Sequence, residues 1–114
     1  MVEPRRGDVI LVRFPFTDLR ATKLRPAIVF AAHGEDLIVI GIFSTLSPDV
    51  KNTWLLLDER NPSFAQTGLR TSSVAKGEKV AVLHRSVVHS VIGSLPPNLL
   101  DALAHKVKAA LLLP

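Results

Sequence analysis

The stretch Arg6–Ala32, RGDVILVRFPFTDLRATKLRPAIVFAA, decides the fold. It reads as strand, polar loop, strand. The first strand starts after Gly7 and carries apolar, largely β-branched residues as far as Phe14, where Pro15 interrupts it for want of an amide hydrogen. The loop Pro15–Leu24 holds Thr17, Asp18, Arg20, Thr22 and Lys23. The second strand opens with Arg25-Pro26 and runs into Ala27-Ile28-Val29-Phe30. A residue before proline is pushed out of the helical region, so the backbone of Arg25 is held extended where loop becomes strand. Binding and catalytic groups tend to sit on polar loops carried by such rigid strands.

Working outward, residues 27–32 and 37–43 are two apolar runs joined by His33-Gly34-Glu35-Asp36, a hairpin turn signal. LIVIGIF ends in Ser44-Thr45-Leu46-Ser47-Pro48, and its Gly41 suggests a bulge or a close backbone contact. A fourth strand is expected around Thr53–Leu57, with Trp54, the only tryptophan, in the core or a subunit contact. Arg60–Gly68 is rich in helix breakers, with Phe64 pinning a short turn. Thr71–Ala75 and Glu78–Leu83 read as two strands with Lys76-Gly77 as the turn between them, and Val87–Leu95 as the last strand. The tail is helical: Ser94 is expected as N-cap, and Pro96 and Pro97 suit the first turn. Leu99, Leu100, Leu103, Val107, Ala110 and Leu111 form one apolar stripe. The leucines that follow suggest burial of the last turn against the sheet or a second subunit. Small antiparallel sheets solve their edge problem by closing. The expectation is a mainly β protein: a small SH3-like antiparallel barrel with a C-terminal α-helix, in one domain spanning 1–114.

Composition narrows the function. The chain of 114 residues carries a formal net charge of +4 and a sequence pI of about 10.0. That balance favours an anionic partner, nucleic acid before a membrane surface. With no cysteine, disulfides and thiolate metal sites are excluded, and a cytoplasmic address fits. The start, MVEPRRGD, shows no apolar signal segment. The longest apolar run, Leu37–Phe43, falls far short of the roughly 20 residues that span a bilayer.

Candidate site residues follow from chemistry. Arg25 can grip a phosphate through two guanidinium hydrogen bonds, although a surface ion pair is the commoner fate of a single arginine. Ser44 and Thr45, at a strand end, can cap the ladder or donate to a phosphate oxygen. Thr17, Asp18, Arg20 and Lys23 offer donors, acceptors and charge toward a nucleic acid. Lys76, Lys79 and Arg85 are candidates for tracking a nucleic-acid backbone. Of His33, His84, His89 and His105, His84 has the best claim to nucleic-acid contact, because Arg85-Ser86 adjoins it. No metal-ligand spacing appears, and no cofactor is expected.

The opening RGDVILVRFPFTDLRATKLRPAIVF resembles the start of the MazF/PemK family of toxin endoribonucleases. That family shows Gly-Asp, a hydrophobic strand, a loop with Pro and Thr, then Arg-Pro and a further strand. The likeness continues through the hydroxyl pair Ser44-Thr45, Ser73-Val74, Val80–Leu83 and the terminal amphipathic helix. The resemblance implies metal-independent, sequence-specific cleavage of single-stranded RNA to 2′,3′-cyclic phosphate and 5′-hydroxyl ends, inhibiting growth. It implies a homodimer, and a cognate antitoxin whose acidic C-terminal segment occupies the RNA groove. The family's catalytic arginine falls on Arg25 and its threonine on Ser44, with Thr45 one residue further, so either hydroxyl can hold the role. The general base stays open, since a guanidinium with a pKa above about 12 does not readily give up its proton. Two rival functions remain: a CcdB-like toxin that poisons gyrase by protein contact, and a non-catalytic nucleic-acid-binding SH3-like module. The leucine-rich C-terminus argues against the first.

Overall fold

The computed structural model describes residues 3–13, 23–44 and 49–114. Six strands, β1 (Asp8–Val12), β2 (Arg25–His33), β3 (Asp36–Ser44), β4 (Trp54–Leu57), β5 (Ser73–His84) and β6 (Val88–Ser94), precede one helix, α1 (Pro97–Ala110). The strands form one sheet in the order β4-β5-β3-β2-β1-β6, with every pairing antiparallel. The mainly β expectation with a C-terminal helix is borne out.

The opening strand pair forms as its sequence requires. Val9 pairs with Ile28 and Leu11 with Pro26. Ile10, Val12, Ala27 and Val29 pack in one cluster with Leu37, Val39 and Val88. Val9, Ile28, Ile40 and Ile42 face the other way and meet Leu100, Leu103 and Val107 of α1. Alternate side chains of β1–β3 are thus buried on both faces, which is why these segments read as continuous apolar runs. Gly34, at φ 61°, supplies the left-handed residue of the β2–β3 turn.

The sheet's ends are bridged without a ladder. The connection after β4 forms a 3₁₀ turn, Phe64–Thr67, that folds against β6. A Cβ on Gly93 would lie 2.4 Å from the carbonyl oxygens of Gln66 and Thr67, and one on Gly68, where φ is +74°, would lie 2.0 Å from Ile92 O. Only glycine permits that approach.

Several local expectations are corrected. Lys76-Gly77 is not a turn, since β5 runs unbroken through it from Ser73 to His84. A Cβ on Gly77 would meet Thr53 O at 2.7 Å and Lys106 O at 2.8 Å, so glycine is there to admit β4 and α1, not to reverse the chain. The irregularity falls instead in the β3–β5 register, between Ile40↔Val80 and Ile42↔Ala75. Ser94 is not the N-cap. It lies in β6 opposite Asp8, its hydroxyl accepts from Gln66 Nε2 at 3.1 Å, and Pro96 holds the cap position with no side-chain bond. The helix stripe buries Leu100, Leu103 and Val107, but Leu111 is 50% and Leu112 89% exposed within this chain.

Trp54 is not in the core. On edge strand β4, Leu55 and Leu57 point inward and Trp54 outward, where Nε1 donates to Glu78 Oε2 at 2.8 Å. Among the described residues no helix is long and apolar enough to cross a membrane.

Candidate functional site

Antiparallel pairing brings three strand ends to one place. Ala27 pairs with Gly41, so Arg25 at the start of β2 stands beside the end of β3. Ser44, the last residue of β3, pairs with Ser73, the first of β5. A cavity of about 410 Å³ opens there, lined by Lys23, Leu24, Arg25, Pro26, Ile42, Phe43, Ser44, Leu69, Arg70, Thr71 and Ser73. Among the described residues, the lining holds three cations, three hydroxyl side chains and no carboxylate. Such a concentration of positive charge favours an anion. The cavity's size falls in the range that takes a small ligand, about 300–1,000 Å³, and its apolar side suits a nucleoside attached to that anion. Among the described residues, no group of His, Asp or Glu side chains is placed to hold a metal ion.

Each cation is presented by local structure. Pro26 holds Arg25 in extended backbone, and Arg25 pairs across to Val12 on β1. Arg70 and Thr71 lie between the 3₁₀ turn and β5. Thr67, 1% exposed, donates from Oγ1 to Phe64 O at 2.6 Å, and its Oγ1 accepts from Leu69 N at 3.1 Å. On the far side, Ser73 Oγ donates to Thr71 O at 2.9 Å. Ser72 N donates to Glu59 Oε2 at 3.1 Å, and Glu59 N donates to Ser72 Oγ at 2.9 Å.

The wall beside the pocket is aromatic and cationic. Phe43 lines the cavity, and Lys76 Nζ sits 4.6 Å from its ring centroid and 4.4 Å from that of Trp54. Lys51 Nζ lies 5.3 Å from the Trp54 ring. Glu78 accepts from both Trp54 Nε1 and Thr53 Oγ1, the latter at 3.0 Å. Partial burial pushes the Glu78 carboxyl up. The bonds from Trp54, its own backbone amide and Thr53, with the charge of Lys76, outweigh it and leave the group below its ordinary range.

Of the candidates read from the sequence, Lys23, Arg25 and Ser44 come together in this pocket. Thr17, Asp18, Arg20 and Thr45 lie outside the described residues. Lys79, His84 and Arg85 do not line it. Lys79 is half-buried in the middle of β5. His84 and Arg85 are at the end of β5 opposite Ser73, in a different set of contacts. Ser86 N donates to His84 Nδ1 at 3.1 Å, so Nδ1 is an acceptor. The ring proton therefore sits on Nε2, 2.9 Å from Glu35 Oε2. The guanidinium of Arg85 pairs with Glu3, and its backbone N donates to Glu35 O at 2.8 Å. These two side chains tie the N-terminal segment to the β2–β3 turn.

Sequence reading misses Arg70 and Thr71. Both sit in an irregular connection with no periodicity, and the basic residue beside Gly68-Leu69 is the sole local signal.

With this geometry in view, likeness to known proteins is informative. A sequence model of the PemK-like, MazF-like toxins of type II toxin–antitoxin systems matches residues 5–111. Among solved structures, an endoribonuclease in complex with its cognate antitoxin from a mycobacterial species superposes with a TM-score of 0.72, at 19% identity over 98% of each chain. The Mycobacterium tuberculosis toxin MazF-mt6 gives 0.71 at 20% identity, over 94% of this chain and 98% of that one. The MazE-MazF structure from Deinococcus radiodurans gives 0.73 at 16% identity, with both chains covered completely (100%). At these identities the likeness is one of fold. A search of curated proteins finds no match in sequence.

Proposed function

Because the chain belongs to the PemK-like, MazF-like toxins of type II toxin–antitoxin systems, we propose that it is an endoribonuclease whose active site is the pocket holding Arg25 and Ser44. The observation that carries this reading is the meeting of Arg25 and Ser44 in a cavity whose described lining is cationic and hydroxylic, with no carboxylate among the described residues. The substrate is single-stranded RNA, whose phosphodiester matches that lining. Similar structures, with an endoribonuclease on its cognate antitoxin and MazF on MazE, support the activity and the partner.

Arg25 binds the non-bridging oxygens of the scissile phosphate through its fork of donors. Ser44 Oγ, at the facing strand end, donates to the same phosphate. The 2′-oxygen attacks phosphorus, the P–O5′ bond breaks, and the products are a 2′,3′-cyclic phosphate and a 5′-hydroxyl. The proton lost by the 2′-oxygen is balanced by the one the 5′-oxygen gains, and no water is consumed. Arg25 and Ser44 act on charge that grows at phosphorus, where preorganised donors accelerate a reaction most. Loop residues Thr17, Asp18, Arg20 and Lys23 contact the flanking nucleotides.

The toxin acts in the cytoplasm, as a homodimer in one domain over 1–114. An antitoxin silences it by laying an acidic C-terminal segment over the cationic pocket. Exposed Val82, Leu112 and Leu113 provide apolar surface for a subunit contact. The test is incubation of wild-type protein and Arg25→Ala with a defined RNA pool, with magnesium or EDTA. Wild type is expected to cut in both, and the variant in neither. Intact RNA with the wild-type protein contradicts the enzyme reading and favours a binding module.

A further inference from the structure

The pocket contains a second guanidinium that the opening strand pair does not supply. Arg70 lines the same cavity as Arg25 and Ser44. Other arginines are engaged elsewhere: Arg60 with Asp58, Arg85 with Glu3, and Arg6 Nε donating to Phe30 O at 3.0 Å. Among the described residues no ion pair engages Arg70. Its segment is nonetheless held on both sides. Gly68 is pressed onto the Ile92 carbonyl and Leu69 packs on the core, while Ser72 and Ser73 fix the start of β5. A basic side chain with no carboxylate partner among the described residues, on a braced segment, in a pocket that holds two further cations, is arranged to meet an anion.

We infer that Arg70 is the second catalytic cation: its guanidinium binds a non-bridging oxygen of the scissile phosphodiester and stabilises the phosphorane formed from it. This rests on the nuclease reading of the pocket. A phosphodiester carries a single negative charge. Attack by the 2′-oxygen forms the O2′–P bond and places a second negative charge on the phosphorane oxygens. Arg25 answers one of the two charges, and Arg70 supplies a second cation for the one that appears only on the way to the transition state. Such an interaction raises turnover more than it tightens substrate binding. Arg70 serves as a fixed cation and hydrogen-bond donor, not as a proton shuttle. The proton leaving the 2′-oxygen and the one reaching the 5′-oxygen therefore pass through other groups.

The experiment compares wild type, Arg70→Ala and Arg70→Lys, all as the full chain. It uses a short RNA carrying one cleavable site, and a twin with 2′-deoxyribose at that site as an uncleavable binding probe. Arg70→Ala is expected to lower kcat by about a hundredfold, with KM and the affinity for the uncleavable twin changed less than about threefold. Arg70→Lys, which keeps the charge but not the fork, is expected to restore part of kcat. A melting curve on each variant checks folding, and the exposed position of Arg70 predicts no change. Turnover by Arg70→Ala at the wild-type rate overturns the inference alone. So does a loss confined to KM and to the uncleavable twin, which marks a cation that only docks RNA. Failure of the wild type to cut RNA overturns the nuclease reading and this inference together.

Discussion

Gly68→Ala probes the clamp that presents Arg70 and Thr71. Gly68 has φ +74°, and a Cβ there would stand 2.0 Å from Ile92 O and 2.7 Å from Ile92 C. The left-handed conformation alone costs an L-residue about 1–2 kcal/mol. The overlap adds more, since β6 or the 3₁₀ turn has to move by about 1 Å, and overpacking of this kind costs about 1–3 kcal/mol. The sum is about 2–5 kcal/mol, a fall in Tm of roughly 10 °C or more for a chain of this size. Gly34→Ala is the internal reference, because Gly34 has φ +61° but a methyl group added to it would meet nothing within 4 Å. It should lose only the conformational part, about 1–2 kcal/mol. Circular dichroism melts rank the pair. A displacement of about 1 Å at a catalytic group can cost about a hundredfold in rate, so Gly68→Ala should also lose RNA cleavage at temperatures where it is fully folded. Equal Tm losses in the two variants would refute the close approach. A Gly68→Ala protein that melts early yet cuts RNA at the wild-type rate would refute the positioning role of the clamp.

Ser44→Ala removes one donor to a charged oxygen, worth about 1.5–3 kcal/mol, so kcat should fall roughly 10- to 100-fold in a single-turnover assay while Ser44→Thr keeps most of it. Leu103, 0% exposed between α1 and the sheet, should cost about 2–5 kcal/mol as Leu103→Ala, read as a lower urea midpoint at unchanged m. Glu78 has its folded pKa held below the ordinary 4.5, so its contribution is complete above that value and is lost as pH falls below it. The Tm gap between wild type and Glu78→Gln should therefore be present at pH 7 and close in acid. A gap that widens in acid would contradict the assigned bonds. Asp58 follows the same sign: the hydrogen bond from Arg60 lowers it from 3.8 to about 2, so that surface contact should persist until the pH approaches that value.

How much is legible in the sequence depends on whether a residue's neighbours carry a period. β1, β2 and β3 are readable because continuous β-branched runs, buried on both faces, have few other destinations. The meeting of Arg25 and Ser44 follows from antiparallel pairing once a hairpin is read at Gly34-Glu35. β5 defeats the same reading because Lys76-Gly77 looks like a turn, while Gly77 answers a need set by Thr53 and Lys106, both remote in sequence. Hydrophobicity sends Trp54 inward, but an edge strand with leucines on its inner face leaves it outside, stacked by lysines and bonded to Glu78. Arg70 offers little beyond a basic residue after Gly68-Leu69, since what makes it notable is the strand ends beside it, not its sequence neighbours.

The most direct measurement is a crystal structure of the protein with a short RNA blocked by 2′-deoxyribose at its cleavage site. The expected result is a phosphate in the pocket within hydrogen-bond reach of both the Arg25 guanidinium and Ser44 Oγ, with the blocked sugar on its 3′-oxygen side. RNA bound across another face, with that pocket empty of phosphate, would contradict it.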